Sequence, residues 1–294
     1  MTLRDFALLV LICLVWASNN IISKIVVAHW GVPPLFYASV RFALVCLVTL
    51  PWLLPAPRPI WRIVLVALLM GGGNFALLFV GLQTASPSTT AVVTQLGVPI
   101  TTLLSVLMLG ERIRWRRGFG IALTFAGAML VMWKPGGFSF SGGVIYLLGS
   151  AFTGSLGAVM MKQMEGVKPL RFQAWVGFCS LWPLAALSFV TEHNQLQSLS
   201  LGFWIAVAFS AFVVSVVMHT AYYGLIQRYE ANLISPLTLM TPLATIAMGV
   251  AITHDYFDAR MAFGAALALL GVLIIALRGN TVMPLLLAVR NRVQ

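Results

Sequence analysis

Trp16, Asn19, Asn20, Ser23 and Lys24 follow the i, i+3, i+4, i+7, i+8 spacing of one helix face. Leu11, Ile12, Val15, Ile22 and Ile25 cover the rest of the segment. On a spanning helix such a stripe faces the bundle or a water-filled cavity, because lipid offers its polar groups no partner. Lys24 lies roughly 6 Å from the end of its span. It either snorkels to the interface or faces a cavity. Arg41 lies about 12 Å into its helix, counted from Pro33. It either caps carbonyls between helices or forms a bidentate pair with a ligand carboxylate. Apart from Asp5 and Asp258 at the very ends of predicted spans, no Asp or Glu falls inside one, so Arg41 lacks an obvious partner deep in the membrane.

A second stripe, Ser88, Ala91, Gln95, Val98, Thr102 and Ser105, is small or polar at alternating spacings of three and four. Proline donates no backbone hydrogen bond, so Pro99 is expected to free the Gln95 carbonyl, Pro242 that of Thr238, and Pro236 that of Asn232. Freed carbonyls would accept a ligand ammonium, or neighbouring Ser and Thr hydroxyls would satisfy them. In either case Pro99 and Pro242 are candidate hinges. Asn74 follows Gly71-Gly72-Gly73, and Phe75 and Phe79 lie one turn apart. His219 shares a face with Ser215 and Tyr222 and is either a satisfied hydrogen-bonder or a titrating group. The candidate binding set is therefore Trp16, Asn20, Lys24, Arg41, Asn74, Phe79, Gln95, His219 and Thr238.

These residues need elements to carry them, and composition says which. Of 294 residues 60% are hydrophobic and 9% charged, against about a quarter charged in a soluble domain. Repeated apolar runs of about 18 residues or more are spanning helices. Ten are predicted, near 5–28, 33–54, 62–83, 87–109, 114–133, 142–161, 171–190, 201–223, 231–252 and 257–277. The first run imitates a signal peptide, yet it continues past Ala17 and is read as a spanning helix. Residues 280–294 form a cytoplasmic tail, either an interfacial helix or disordered.

With the N-terminus inside, one side receives Arg4, Arg58, Arg62, the Arg112–Arg117 cluster, Lys162, Lys168, Arg171, Arg228, Arg278, Arg290 and Arg292. The other receives only Lys134 and Arg260. That asymmetry predicts both termini on the cytoplasmic side, and the expected location is the cytoplasmic (inner) membrane. The net charge of +11 then faces anionic headgroups, and no nucleic-acid partner is expected. Cys13, Cys46 and Cys179 sit in apolar runs without C-x-x-C spacing, so no disulfide framework, metal or cofactor is expected.

The two halves resemble each other. Gly120–Gly127 and Gly264–Gly271 both read G-x-A-L-x-x-x-G, and "QLGVPITTLLSV" pairs with "TLMTPLATIAMG". Five spans per half is an odd number, so the copies are inverted, with 1–136 as the first repeat and 137–279 as the second. Inverted repeats with proline-interrupted helices are a transporter architecture. The expected fold is thus an all-α polytopic membrane protein, ten transmembrane helices in two inverted five-helix repeats.

"VWASNNIISK", Pro33, Arg41 and "LGVPITTLLSVLMLGERIRWRRGFGIALTFAG" together resemble the EamA-type branch of the drug/metabolite transporter superfamily. Within it the chain is similar to aromatic amino-acid exporters of the YddG type. The second half departs from the pattern: His254-Asp255 stands where a pair like Gly110-Glu111 is expected, and no arginine follows Pro169 at the Arg41 position. The resemblance implies export of a small metabolite. Aromatic and other large apolar amino acids are the expected substrates, with the lipid bilayer as the other partner and a monomer compatible with the pattern. The alternatives are efflux of lipophilic cations, which lack an anionic site here, and a membrane enzyme, which lacks Asp-rich motifs. An open channel lacks a pore-charge ring. Proton relays use membrane Asp, Glu or His, and here only His219 is available, so facilitated diffusion or exchange is expected over proton antiport.

Overall fold

A computed structural model describes residues 2–109, 115–134, 137–138, 142–161, 164, 167–195, 199–229 and 237–276. Among the described residues run ten helices: α1 (Leu3–His29), α2 (Pro34–Trp52), α3 (Ile60–Thr84), α4 (Pro87–Met108), α5 (Trp115–Met132), α6 (Gly142–Met161), α7 (Pro169–Thr191), α8 (201–228), α9 (Met240–Ile252) and α10 (Ala259–Ala276). Seven of them are long and apolar enough to cross a membrane, and α5, α9 and α10 contribute shorter apolar stretches. Proline opens α2, α4 and α7, where its missing N–H is no loss. Hydroxyls of Thr2, Ser86 and Ser200 cap α1, α4 and α8 by accepting from backbone N–H groups.

One end differs from expectation. Helix α8 runs on to Arg228, past 223, because its middle is a π-helix that continues into an ordinary helix, His219–Arg228. The predicted start of helix 9, Pro236 and the tail 280–294 lie outside the described residues. Trp133 and Lys134 pair with Phe138 and Gly137 in a two-residue antiparallel bridge between α5 and α6.

The packing has one dominant symmetry. α5 lies against α10, α2 against α7 and α4 against α9; α1 meets α9 as α6 meets α4, and α3 meets α7 as α8 meets α2. This pattern is unchanged when each helix is exchanged with the one five places along. The repeated glycines show why at atomic scale. Gly120 faces Gly271 and Gly127 faces Gly264 across an antiparallel α5–α10 contact. A Cβ on Gly127 would sit 2.5 Å from the Gly264 carbonyl oxygen and 2.8 Å from Ala268 Cα. Small residues permit this backbone approach, which supplies the dispersion contact that lipid would not.

Wide π-turns interrupt three helices, at Ile25–His29 in α1, Leu68–Gly73 in α3 and Phe209–Met218 in α8. Such turns rotate the side chains that follow them, and they favour functional sites. Those in α3 and α8 flank one cavity.

Candidate functional site

Arg41, Tyr37, Phe42 and Phe79 are fully or almost fully buried near the middle of the bundle. The Arg41 Nε and Nη2 groups donate to Ser215 Oγ at 3.1 and 2.9 Å. Ser215 can accept because its own hydroxyl donates to the Ser210 carbonyl five residues back, the spacing of a π-turn. Arg41 Nη1 is buried with no hydrogen-bond partner among the described residues. The guanidinium lies over the Phe75 ring at 4.3 Å, with Phe79 at 5.8 Å and Phe42 at 5.9 Å. Ring faces offset part of the desolvation of a cation, though a counter-ion would offset far more.

No described carboxylate supplies that counter-ion. Asp5 accepts from Thr2 and Tyr229 and lies 3.9 Å from Arg228. Glu192 caps α2 through the Leu35 and Phe36 N–H groups at 2.7 and 2.8 Å. Asp255 caps α4 through Ser88 N and Oγ, and Asp258 caps α10 through Met261 N.

A cavity of about 150 Å³ lies beside the arginine, lined by Met70, Asn74, Phe75, Gly154, Phe172, Gln173, Val176, Ser215 and His219. Arg41 sits one layer behind, touching Ser215 and Phe75 in the wall. Asn74 is held by α6, its amide donating to the carbonyl and hydroxyl oxygens of Ser150 at 2.8 and 3.1 Å. The His219 Nδ1 atom is 2.7 Å from the Val214 carbonyl, and Trp16 packs on the His219 ring with centroids 5.1 Å apart. Trp16 also meets Tyr222 edge-on. Gln173 is buried, lines the cavity and makes no side-chain hydrogen bond to a described residue.

Toward the α1–α2 turn the cavity is closed. Tyr37 lies one turn nearer the start of α2 than Arg41, and Phe79 one turn nearer the end of α3 than Phe75. They meet with centroids 4.9 Å apart, and Phe203 packs edge-on against Tyr37. Ser210 bonds the Tyr37 hydroxyl at 2.7 Å and donates to Asn19. Four helices thus meet in one aromatic and polar plug.

Of the residues singled out from sequence, Trp16, Arg41, Asn74, Phe79 and His219 come together here. Four stand elsewhere. Lys24 donates to the Leu82 and Ala85 carbonyls at 2.9 Å and to Gln83 at 3.4 Å, capping the C-terminal end of α3 where its positive charge is favoured. Asn20 reaches Thr245 on α9 at 3.5 Å. Gln95 lies in a 3₁₀ turn, Thr94–Leu96, and does not line the cavity.

Thr238 corrects an expectation: its carbonyl is not free, because Thr241 N donates to it at 3.0 Å in a tightened turn before Pro242. The two proline helices otherwise share a pattern. Thr102 donates to the Val98 carbonyl and Thr245 to the Thr241 carbonyl, at equivalent positions about Pro99 and Pro242. Ser155 fills the Gly97 carbonyl from α6. Sequence reasoning missed Tyr37, Ser210 and Gln173. Gln173 carried a readable signal as the one carboxamide in α7.

A bundle of apolar helices, paired symmetrically around a buried cation and an adjoining cavity, defines a polytopic membrane protein built to handle a small molecule. The profile of the EamA-like transporter family matches the chain twice, over residues 5–133 and 141–277. The chain belongs to that family and is a multi-pass membrane transporter. It is 23% identical over 286 residues to a protein of Salmonella typhimurium named a probable amino-acid metabolite efflux pump, covering 93% of this chain and 95% of that one. It is 26% identical over 253 residues to the inner membrane transporter YedA of Escherichia coli, whose function is uncharacterized, covering 83% and 81%. One crystal structure shares the fold with a TM-score of 0.66 at 19% identity, covering 93% of this chain and 96% of the other.

Proposed function

We propose that this transporter exports amino acids with large apolar side chains, aromatic ones foremost, by alternating access of two inverted five-helix repeats. The observation that carries this reading is a fully buried guanidinium without a carboxylate partner among the described residues, set against a cavity walled by Phe75, Phe172 and Met70. A substrate carboxylate would answer the charge, and the rings would hold the side chain. At about 150 Å³ the cavity matches the size of one that accepts a benzene ring. It is smaller than the roughly 300 Å³ at which drug-sized sites begin. A whole amino acid then enters as the helices part, with Pro99 and Pro242 as hinges. Charge asymmetry favours a cytoplasmic membrane with both termini inside. The amino-acid relative in Salmonella typhimurium supports the substrate class.

Lipophilic cations fit poorly, because Arg41, without a carboxylate partner among the described residues, already places a positive charge just behind the wall. Counterflow tests the reading. Proteoliposomes preloaded with unlabelled phenylalanine should take up labelled phenylalanine saturably, with competition by tryptophan and methionine but not lysine. Absence of entry with an intact protein would refute the substrate assignment.

A further inference from the structure

An amino acid is a zwitterion, and the cavity is not matched to both of its charges. Around it stand one cation, Arg41, the uncharged side chains Asn74, Gln173 and Ser215, and the His219 imidazole beside aromatic rings. His219 offers nothing negative, and every described carboxylate is engaged at a helix end: Asp5 on α1, Glu192 at α2, Asp255 at α4 and Asp258 at α10. A zwitterion therefore leaves the net positive charge of the site unchanged. A monoanion cancels it, and burial of an uncompensated charge is the costlier state.

We infer that this cavity is a binding site for apolar monocarboxylates, recognising the carboxylate through Arg41 and Ser215 and making no use of an ammonium group. The inference rests on the cavity being the transport site and sharpens what it carries: aryl-substituted carboxylates without an amine, such as aryl keto or propionic acids, occupy it at least as well as the amino acids. Ser215 is the natural point of exchange. It bridges Arg41 to the cavity, and a carboxylate oxygen arriving at that wall takes up the donors that Ser215 now accepts. Gln173, with an amide free of side-chain partners among the described residues, faces the same space and serves a carbonyl or hydroxyl on the ligand.

The test uses the full chain purified in detergent and titration calorimetry with three ligands that share a phenyl ring: 3-phenylpropionate, phenylalanine and phenethylamine. The expected result is 3-phenylpropionate binding at least as tightly as phenylalanine, and phenethylamine tenfold or more weaker. Phenethylamine binding as well as 3-phenylpropionate overturns the inference. So does phenylalanine binding more than tenfold tighter than 3-phenylpropionate, and so does the absence of binding by all three. Arg41→Gln is expected to lower 3-phenylpropionate affinity by roughly tenfold to a hundredfold, the range of a charge-assisted hydrogen bond; unchanged affinity in a folded variant overturns the assignment. Should that variant not fold, the comparison on the unaltered chain still decides. Transport separates the two readings. Anion-selective binding without phenylalanine counterflow removes the amino-acid exporter and keeps this site, whereas counterflow inhibited equally by amine and acid does the reverse.

Discussion

Replacing Lys24 with Met keeps the aliphatic stem and deletes the ammonium, which separates a cap from a substrate contact. Lys24 makes two short bonds, 2.9 Å each to the Leu82 and Ala85 carbonyls, and a long one of 3.4 Å to Gln83. A hydrogen bond to a charged group contributes about 1.5–3 kcal/mol when well buried. This lysine is partly exposed, so screening and the desolvation already incurred reduce the sum. Leu82 and Ala85 are themselves buried, however, and their carbonyls would lose their charged partner. A net loss of about 2 kcal/mol follows. At about 2–4 °C per kcal/mol for a chain of this order, the Tm should fall by about 4–8 °C. Thermal unfolding followed by tryptophan fluorescence reads that shift, and phenylalanine counterflow on the same preparation reads KM. The expected pair of results is a lowered Tm with KM within twofold of the parent. An unchanged Tm with KM raised tenfold would refute the capping argument and return Lys24 to the substrate path.

Three further outcomes are expected. Gly127→Ala should cost about 3 kcal/mol or more, since its Cβ meets only backbone of α10, whereas Gly118→Ala, with nothing within 4 Å, should be neutral or stabilising by up to about 1 kcal/mol; parallel thermal unfolding of the two variants checks the contrast. Tyr37→Phe removes one buried hydroxyl from the plug and weakens closure by about 1 kcal/mol, so counterflow should speed up by up to about fivefold where opening limits the rate. An imposed pH gradient should not drive phenylalanine uphill in vesicles, because no described carboxylate borders the cavity and the histidine there, His219, is held at the Val214 carbonyl; accumulation against the gradient would establish proton coupling.

Particular residues show how legible the site was. Arg41 stood out because a buried guanidinium in an apolar run is costly wherever it lies, and its significance survives any error in helix phase. Asn74 and His219 were visible for the same local reason, Trp16 by its place on the polar stripe and Phe79 by its one-turn spacing from Phe75. Lys24 and Asn20 share a face with Trp16, yet their partners are α3 and α9 rather than the cavity. A helical wheel says which residues share a face but not what that face meets. Ser215 was noted only as a neighbour of His219, although it holds Arg41. Its position depends on the π-turn at Phe209–Met218, whose i→i+5 bonds rotate side chains away from the 3.6-residue period. No residue type announces that turn.

By itself the sequence determined the solvent, the helices and the repeat. Hydropathy is summed over about 20 consecutive residues and needs no knowledge of neighbours. The glycines of G-x-A-L-x-x-x-G could be matched in the two halves by eye. Only the tertiary structure decided that Gly120 meets Gly271 and Gly127 meets Gly264, that the Thr238 carbonyl is occupied, and that Tyr37, Ser210 and Asn19 form one plug. Those are contacts between helices distant in the chain. Their geometry is set by packing and by the need to partner every polar group away from water, and neither condition can be evaluated one helix at a time.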